Sequence, residues 1–472
     1  MLRPLKEILR ALLRQPVFAP FFGWLLGRRL SILHESDAAD ALNVLVFSDL
    51  RWRQDLEALA RAGGLRLYVI DSALQRRINA LFAVPGKAIH EEYFCESDPE
   101  ILRLREAHGH FVARLVPALR RKVPLDCAVT PTVHYRQEHP WAEGFDRAGL
   151  PFVALHKEFT VLDEGQVPER VVRFRARKQT FLGSHACVAN PVAKRLFVEA
   201  GVFAEEKISV IGLLRMDNLL RDTEGAKAAR RQHQPRVVTL FSFGHISGGF
   251  SPTTWRSMYF SQNDDEGFVQ LFKDVHVGFA ELALRHPDVE FKIKPKNVEP
   301  WWFKEIEAVV EEALDRPLES IANCRIVADP APDLMAESCA TIGFNSTVLL
   351  ESLALGVETI MPVFAEAAEV YSQYVYFPDF RDVFTIARSK DDLIALVDKA
   401  IAGEPLEKGP PERVSELLQT YLGYDDGHTA ERAIQVLRAV VAGQAQPLPF
   451  TSSAATVDQG RGERAAAVGL GS

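Results

Sequence analysis

Three consecutive polar residues, Asn345, Ser346 and Thr347, stand where an apolar strand-like run gives way to a helical pattern. The run Cys339–Ile342 breaks at Gly343, two residues before Asn345. A helix start exposes unpaired N–H groups and the positive end of the helix dipole, and both favour phosphate. Asn and Ser are also ordinary caps of a helix, so the pattern leaves a cap and a phosphate site both open.

Further polar residues follow strand-like runs in the same half of the chain. Lys294 and Lys296 end the run that begins at Glu290, where two ammonium groups can neutralise a diphosphate. Gly244 and His245 open a glycine-containing loop, whose backbone N–H groups can approach an anion. Glu351 lies six residues after Asn345, in reach of a sugar or ribose hydroxyl. Lysines after a strand are also common on plain surfaces, so both roles stay open.

The first half of the chain offers candidates for proton transfer. His156 and Glu158 follow a predicted strand that ends at Leu155, and both residue types act as general acids and bases. They are equally consistent with an ordinary loop. Arg215 and Asp217 stand two apart after another predicted strand, and a pair that ties down a linker is the simplest role for them.

No spacing of His and Cys indicates a metal site, and neither a nucleophile elbow nor a Walker loop is present in the sequence. The acidic stretch 263–266 is consistent with a divalent ion or, more simply, with a solvated loop. We therefore expect chemistry without a metal or a bound cofactor.

Strand-like and helical patterns alternate along the chain, which predicts parallel sheets covered by helices on both faces. We expect an α/β protein of two Rossmann-like lobes facing a central cleft, with strand ends of both lobes directed at it. The predicted divisions are an amphipathic leader (1–38), an N-terminal lobe (39–218), a linker (219–235), a C-terminal lobe (236–443) and a disordered tail (444–472).

Composition narrows the class of protein. A formal net charge of −8 over 472 residues argues against nucleic acid as the main partner. The five cysteines are odd in number and widely spaced, which favours reduced thiols in the cytoplasm. The leader is basic and contains Phe21, Phe22 and Trp24. Such a segment lies in a membrane interface or packs on the body of the protein, and the sequence leaves both open.

Four short motifs between about Pro151 and Val441 occur in an order and spacing that resemble the GT-B glycosyltransferase superfamily. Within it they resemble the bacterial surface-polysaccharide group, which includes capsule-synthesis and CDP-glycerol glycerophosphotransferase-like enzymes. The motifs are Ile208–Asp217, similar to an interlobe element; Phe291–Lys296, similar to a K-P-H strand end; Ile342–Glu351, similar to a donor-phosphate turn and helix; and Tyr424–Arg432, similar to the start of the final helix.

The resemblance implies that the N-terminal lobe (39–218) binds the acceptor and the C-terminal lobe (236–443) binds the nucleotide donor. It also implies that Asn345, Ser346 and Thr347 hold the donor phosphate, that Lys294 offsets its charge, and that Glu351 contacts the ribose or the transferred group. Two positions depart from the pattern. Lys296 stands where His is usual, and His156-Lys-Glu158 stands where many relatives carry His-Gly.

We therefore expect a metal-independent glycosyltransferase that moves a sugar, or a glycerophosphoryl group, from a nucleotide-activated donor to a surface polysaccharide or lipid-linked glycan. His156 or Glu158 would be the base. The expected location is the cytoplasm, with contact of the leader with the inner membrane left open. Two alternatives remain: an isomerase similar to nucleotide-sugar 2-epimerases, and a non-catalytic glycan-binding or assembly protein of the same fold.

Overall fold

The computed structural model describes residues 2–83, 98–158, 164–178, 180–221, 236–247, 260, 266–296, 299–444, 447 and 450. The predicted linker beyond residue 221 and most of the predicted tail lie outside these residues, as do Cys95, Gly248, Gly249, Asn263, Asp264 and Asp265. The chain forms two compact units: the first holds the chain up to Asp217 and again from Gln419 on, and the second holds Asn218–Leu418.

Seven strands form the sheet of the first unit, in the spatial order β1-β3-β2-β4-β5-β6-β7. All neighbours are parallel except β1 and β3. Along β2, Val44 and Val46 belong to one buried cluster and Leu45 to the other, as expected where both faces of a sheet are covered. The strands are β1 Ser31–His34, β2 Leu42–Val46, β3 Leu65–Val69, β4 Cys127–Thr130, β5 Phe152–Leu155, β6 His185–Val188 and β7 Ile208–Val210.

The second unit has a six-stranded sheet in the order β10-β9-β8-β11-β12-β13, in which all neighbouring strands are parallel. Its strands are β8 Val237–Phe241, β9 Glu290–Lys294, β10 Cys324–Ile326, β11 Ala340–Gly343, β12 Glu358–Pro362 and β13 Thr385–Ala387. The prediction of two α/β lobes built on largely parallel sheets is thus confirmed. Their placement around a cleft stays a prediction.

Helices connect the strands, and several begin at the caps that the sequence provides. Asp71 accepts hydrogen bonds from the N–H groups of Ala73 and Leu74, both at 2.9 Å, and Asn190 accepts one from Ala193 at 2.8 Å. The helices are α1 Leu2–Leu13, α2 Ala19–Arg29, α3 Arg53–Ala62, α4 Ser72–Leu81, α5 Pro99–Arg120, α6 His139–Arg147, α7 Val167–Ala176, α8 Pro191–Glu199, α9 Met216–Leu220, α10 Val269–Arg285, α11 Pro300–Leu314, α12 Ala331–Glu337, α13 Val348–Ala354, α14 Lys390–Ile401, α15 Pro411–Leu422 and α16 Thr429–Val441.

The last helix, α16, belongs to the first unit, whereas the sequence analysis extended the second lobe to residue 443. Its apolar residues Ala433 and Leu437 are buried in one cluster with Val44 of β2 and Leu56 of α3. The periodicity of a helix shows which of its faces is apolar, but it cannot show which sheet covers that face.

The predicted leader is also part of the first unit. Residues 31–34 form its antiparallel edge strand, and Phe22 and Leu26 of α2 are buried in the core with Leu115 of α5. A Cβ atom at Gly23 would lie 2.1 Å from the carbonyl oxygen of Leu115, so only glycine permits this approach of α2 to α5. One face of the leader therefore packs on the body of the protein.

Candidate functional site

The central strands of the second sheet end at one level. Phe241 of β8 is paired in register with Lys294 of β9 on one side and with Gly343 of β11 on the other. Strand order reverses between β8 and β11, because β9 and β10 lie to one side and β12 and β13 to the other. Ligands of open α/β sheets bind outside the carboxyl ends of the strands at such a switch point. Three sets of predicted donor residues follow these strand ends.

Asn345 ties the loops at this switch point together. It is buried and has a left-handed backbone, with φ at 46°. Its Nδ2 donates to the carbonyl oxygen of Tyr374 at 3.0 Å and to Ser247 Oγ at 3.3 Å, and its Oδ1 accepts from the N–H of Tyr376 at 2.8 Å. The amide thus holds the loop after β8 and the segment around residue 375 against the end of β11. These bonds make Asn345 a positioning residue.

Ser346 and Thr347 are half-buried and lead into α13. Ser346 Oγ accepts a hydrogen bond from the N–H of Val348 at 3.3 Å, which leaves its O–H proton for donation elsewhere. Glu351, one turn into the helix, is buried, at 6 % exposure. Its predicted contact with a ribose or a transferred group stays a prediction, because its side chain lies inside the unit.

Lys294 supplies positive charge at the same edge. Its side chain is half-buried, and its ammonium group lies 3.3 Å from the carbonyl oxygen of Pro295. Burial lowers the pKa of Lys294, and the nearby Asp329 acts in the opposite direction. A partly desolvated ammonium group attracts an anion more strongly than a fully hydrated one. Lys296, two residues on, is exposed.

The loop after β8 is fixed by a buried network that sequence reasoning missed. Ser242 Oγ lies 2.9 Å from Nε2 of His276 and accepts from the indole N–H of Trp302 at 3.2 Å. His276 Nδ1 donates to the carbonyl oxygen of Phe272 at 2.7 Å, and burial lowers the pKa of His276 to about 4, so Nε2 accepts from Ser242. These residues are far apart in the chain, and no spacing rule joins them.

The described part of the predicted glycine loop is buried. Gly244 and His245 follow the network, and the carbonyl oxygen of His245 accepts from the N–H of Phe268 at 2.8 Å. The His245 ring lies 5.2 Å from that of Phe260. Gly244 and His245 both follow the end of β8 within four residues and so lie at the same edge of the sheet as Lys294 and Ser346. Their role in binding a donor stays a prediction.

The switch point of the first sheet lies between β2 and β4, and a carboxylate is buried there. Glu138 Oε1 accepts from Ser48 Oγ and its Oε2 from Thr130 Oγ1, each at 2.5 Å. Ser48 has φ at 51° and is partly exposed. Burial raises the pKa of Glu138 to about 7, and the two hydroxyl donors only partly offset this effect. No sequence pattern marks Glu138, which stands in a short 3-10 helix eight residues beyond the end of β4.

The two residues predicted to act as bases follow β5, one strand further along the sheet. His156 is buried, its ring centroid 5.0 Å from that of Phe197 and 5.1 Å from that of His134. Burial lowers the pKa of His156 well below its ordinary value, which makes it a weak base. Glu158 is exposed. The assignment of the base stays a prediction, and the exposure favours Glu158.

Arg215 and Asp217 lie inside the first unit and stabilise its C-terminal helix. The backbone N–H of Arg215 donates to Asp55 Oδ1 at 3.1 Å. Buried Asp217 accepts from the N–H groups of Thr429 at 3.0 Å and Ala430 at 2.7 Å, and so it caps α16. An interlobe role for the pair remains a prediction.

No group of three or more His, Cys, Asp or Glu side chains in the described part of the chain has the arrangement of a metal site. The described cysteines Cys127, Cys187, Cys324 and Cys339 carry free thiols, and burial raises the pKa of Cys339 to about 11. Metal independence is not thereby established, and it stays part of the proposal below.

Comparison with known proteins gives resemblances of fold at low identity. No family model and no curated protein matches the sequence. The UDP-GlcNAc 2-epimerase from Neisseria meningitidis bound to UDP-GlcNAc is 13% identical, with 84% of this chain and 99% of that chain covered and a TM-score of 0.42. A glycosyltransferase from Rickettsia africae is 10% identical, with 85% and 99% covered and a TM-score of 0.43. The wall teichoic acid polymerase TagF, soaked with CDPG, is 13% identical, with 93% and 97% covered and a TM-score of 0.44. These values leave the family and the activity open.

Proposed function

We propose that this protein is a glycosyltransferase whose second unit binds the phosphates of a nucleotide-activated donor. It moves a sugar, or a glycerophosphoryl group, to a glycan acceptor. The observation that carries the proposal is the common register of β8, β9 and β11, because it brings Lys294, Ser346 and the loop at Gly244 to one switch point. A positive charge, a hydroxyl donor and a fixed loop at this position suit a diphosphate.

In the proposed reaction the bond between the transferred group and the donor phosphate breaks, and its electron pair stays on the phosphate. Lys294 stabilises the charge that develops there, and the Ser346 hydroxyl donates a hydrogen bond to it. The acceptor hydroxyl attacks the transferred group and loses its proton to a base. Glu158 is the proposed base, since it is exposed while His156 is buried. The proposal includes neither a metal ion nor a cofactor besides the donor.

The choice of acceptor rests on the sequence motifs alone. Their resemblance to the surface-polysaccharide group supports a bacterial surface polysaccharide or a lipid-linked glycan as acceptor. Synthesis from nucleotide donors places the proposed reaction in the cytoplasm. The glycan acceptor and the cytoplasmic location are therefore both part of the proposal.

A thermal-shift screen against UDP, CDP, GDP, CMP and their sugars tests the donor site. A nucleotide at 100 times its dissociation constant stabilises the folded protein by about 2.7 kcal/mol. The double variant Lys294→Ala/Ser346→Ala should lose most of the shift given by the matching nucleotide. Lys304→Ala, which removes an exposed lysine from α11, is the matched control and should keep it.

If the double variant kept the full nucleotide-induced thermal shift, the nucleotide would bind elsewhere and the proposed donor site would be wrong. Incubation of the bound nucleotide sugar without acceptor separates the other functions. Isomerisation of the sugar would identify an epimerase, and binding without turnover in the presence of glycan acceptors would identify a non-catalytic protein.

A further inference from the structure

The N-terminal helices of the first unit carry a concentration of exposed apolar side chains. Of the twelve large apolar residues that are strongly exposed in the described chain, six lie between residues 8 and 24. On α2, the rings of Phe21 and Trp24 are 53% and 38% exposed and stack at 6.2 Å. The six residues are Ile8, Leu9, Leu12, Val17, Phe21 and Trp24. We call the stacked pair on α2, Phe21 and Trp24, the N-terminal apolar face.

The packing of α2 on the core fixes which side of this helix faces the solvent. Phe22 and Leu26 are buried, and Gly23 and Gly27 lie so close to α5 that a Cβ atom at Gly27 would be 2.7 Å from the side chain of Lys122. Phe21 and Trp24, three positions apart on α2, lie on one side of the helix, away from these buried positions. The packing of α2 therefore keeps both rings directed outward.

Positive charge accompanies the N-terminal apolar face. The first 34 residues contain six Arg or Lys and a single Glu, in a chain whose formal net charge is −8. Exposed Arg28 lies over the Trp24 ring at 5.1 Å from its centroid. Arg10 and Arg29 do not contribute freely. Arg10 Nε donates to the carbonyl oxygen of Leu81 at 3.2 Å, and Arg29 is ion-paired with Asp71. Aromatic and cationic side chains together on a helical surface are typical of segments that lie in the interface of an anionic membrane.

We infer that the N-terminal apolar face docks on the surface of a membrane that contains anionic lipid. None of the described helices is long and apolar enough to cross a membrane, so the contact is peripheral. A second copy of the chain is a poorer occupant. In a symmetric pair the same face of each copy meets the other, and the cationic residues of both would be brought together. The inference does not depend on the proposed transferase activity.

Flotation of the full chain with phosphatidylcholine vesicles, prepared with and without phosphatidylglycerol, tests the inference. We expect binding to the anionic vesicles that weakens with added salt, because exposed charges are screened. Phe21→Ser/Trp24→Ser should reduce the bound fraction by roughly tenfold or more, since two large apolar side chains are removed from the contact. Arg28→Glu should reduce binding mainly at low salt.

The matched control is Val172→Ser, which removes an exposed apolar side chain of α7 in the same unit. It should bind vesicles as the parent does. Absence of parent binding to anionic vesicles would overturn the inference, and so would equal binding by the double variant.

Light scattering provides a further test. Self-association of the parent that the double variant lacks would assign the face to a second copy and also overturn the inference. Unchanged thermal unfolding of the variants excludes misfolding as the cause.

Discussion

At the switch point of each sheet, a polar residue with a positive φ follows the end of a strand, but the groups that it contacts differ. In the first unit β2 is followed by Phe47 and Ser48, and in the second β11 is followed by Phe344 and Asn345. Both phenylalanines are buried, and the polar residues have φ values of 51° and 46°. Ser48 donates to the buried carboxylate of Glu138, whereas Asn345 bonds to two other segments of its unit.

The two sheet edges carry ionisable groups of opposite type, a carboxyl group at the first and an ammonium group at the second. The first edge holds an acid whose proton is exchanged near neutral pH, because burial raises the pKa of Glu138 to about 7. The second edge holds a neutral amide, a free serine proton and the ammonium group of Lys294. The first edge thus carries a group that can exchange a proton, and the second carries groups that can hold an anion. The acceptor and donor roles of the two units stay proposals.

The largest expected effect comes from breaking the turn of the second unit. Asn345→Ala removes three hydrogen bonds and leaves a residue with a Cβ in the left-handed region, so we expect destabilisation by about 3 kcal/mol in urea unfolding. The nucleotide-induced thermal shift should fall with it. Asn345→Gly tolerates the positive φ and should recover about 1 kcal/mol of the loss. Equal stability of all three proteins would show that the amide does not tie the loops.

The second prediction concerns the proton acceptor in the first unit. Glu158→Gln should lower the transfer rate by about 100-fold, within the usual range for loss of a general base, and leave the nucleotide-induced thermal shift unchanged. Glu57→Gln, which changes an exposed carboxylate on α3, is the control and should keep full activity. If Glu158→Gln were fully active and Glu138→Gln were not, the base would lie at the switch point of the first sheet.

The smallest expected effect is a pH dependence of stability. Burial raises the pKa of Glu138 from 4.5 to about 7, so the folded chain binds more protons than the unfolded chain between these values. Its contribution to stability is therefore complete below pH 4.5 and is lost as the pH rises through about 7. The variant Glu138→Gln should not show this loss. Its free energy of unfolding should exceed that of the parent by on the order of 2 kcal/mol between pH 5 and 8.

Urea unfolding at a series of pH values measures this difference. Parallel stability curves for Glu138→Gln and the parent would show that Glu138 has the same proton affinity in both states. A control at an exposed carboxylate, Glu57→Gln, should leave the pH dependence of the parent unchanged.

The sequence by itself determined the α/β class and the carboxyl edge at which the predicted donor residues lie. Alternation of apolar strands with amphipathic helices is a local property, and residues directly after a parallel strand lie at its carboxyl end whatever the order of the strands. This is why Lys294, Ser346 and Gly244 could be assigned to that edge before the sheet was known, while their role in binding a donor stays a prediction.

Only the tertiary structure decided which strand ends are neighbours and which polar groups are buried together. The Glu138 carboxylate meets Ser48 across 90 residues of chain, and Asp217 caps a helix that begins 212 residues later. The burial of His156, which weakens it as a base, likewise comes from the rings of Phe197 and His134 that pack against it. Such contacts depend on strand order and packing, and these arise from interactions between distant segments that leave no periodic pattern in the sequence.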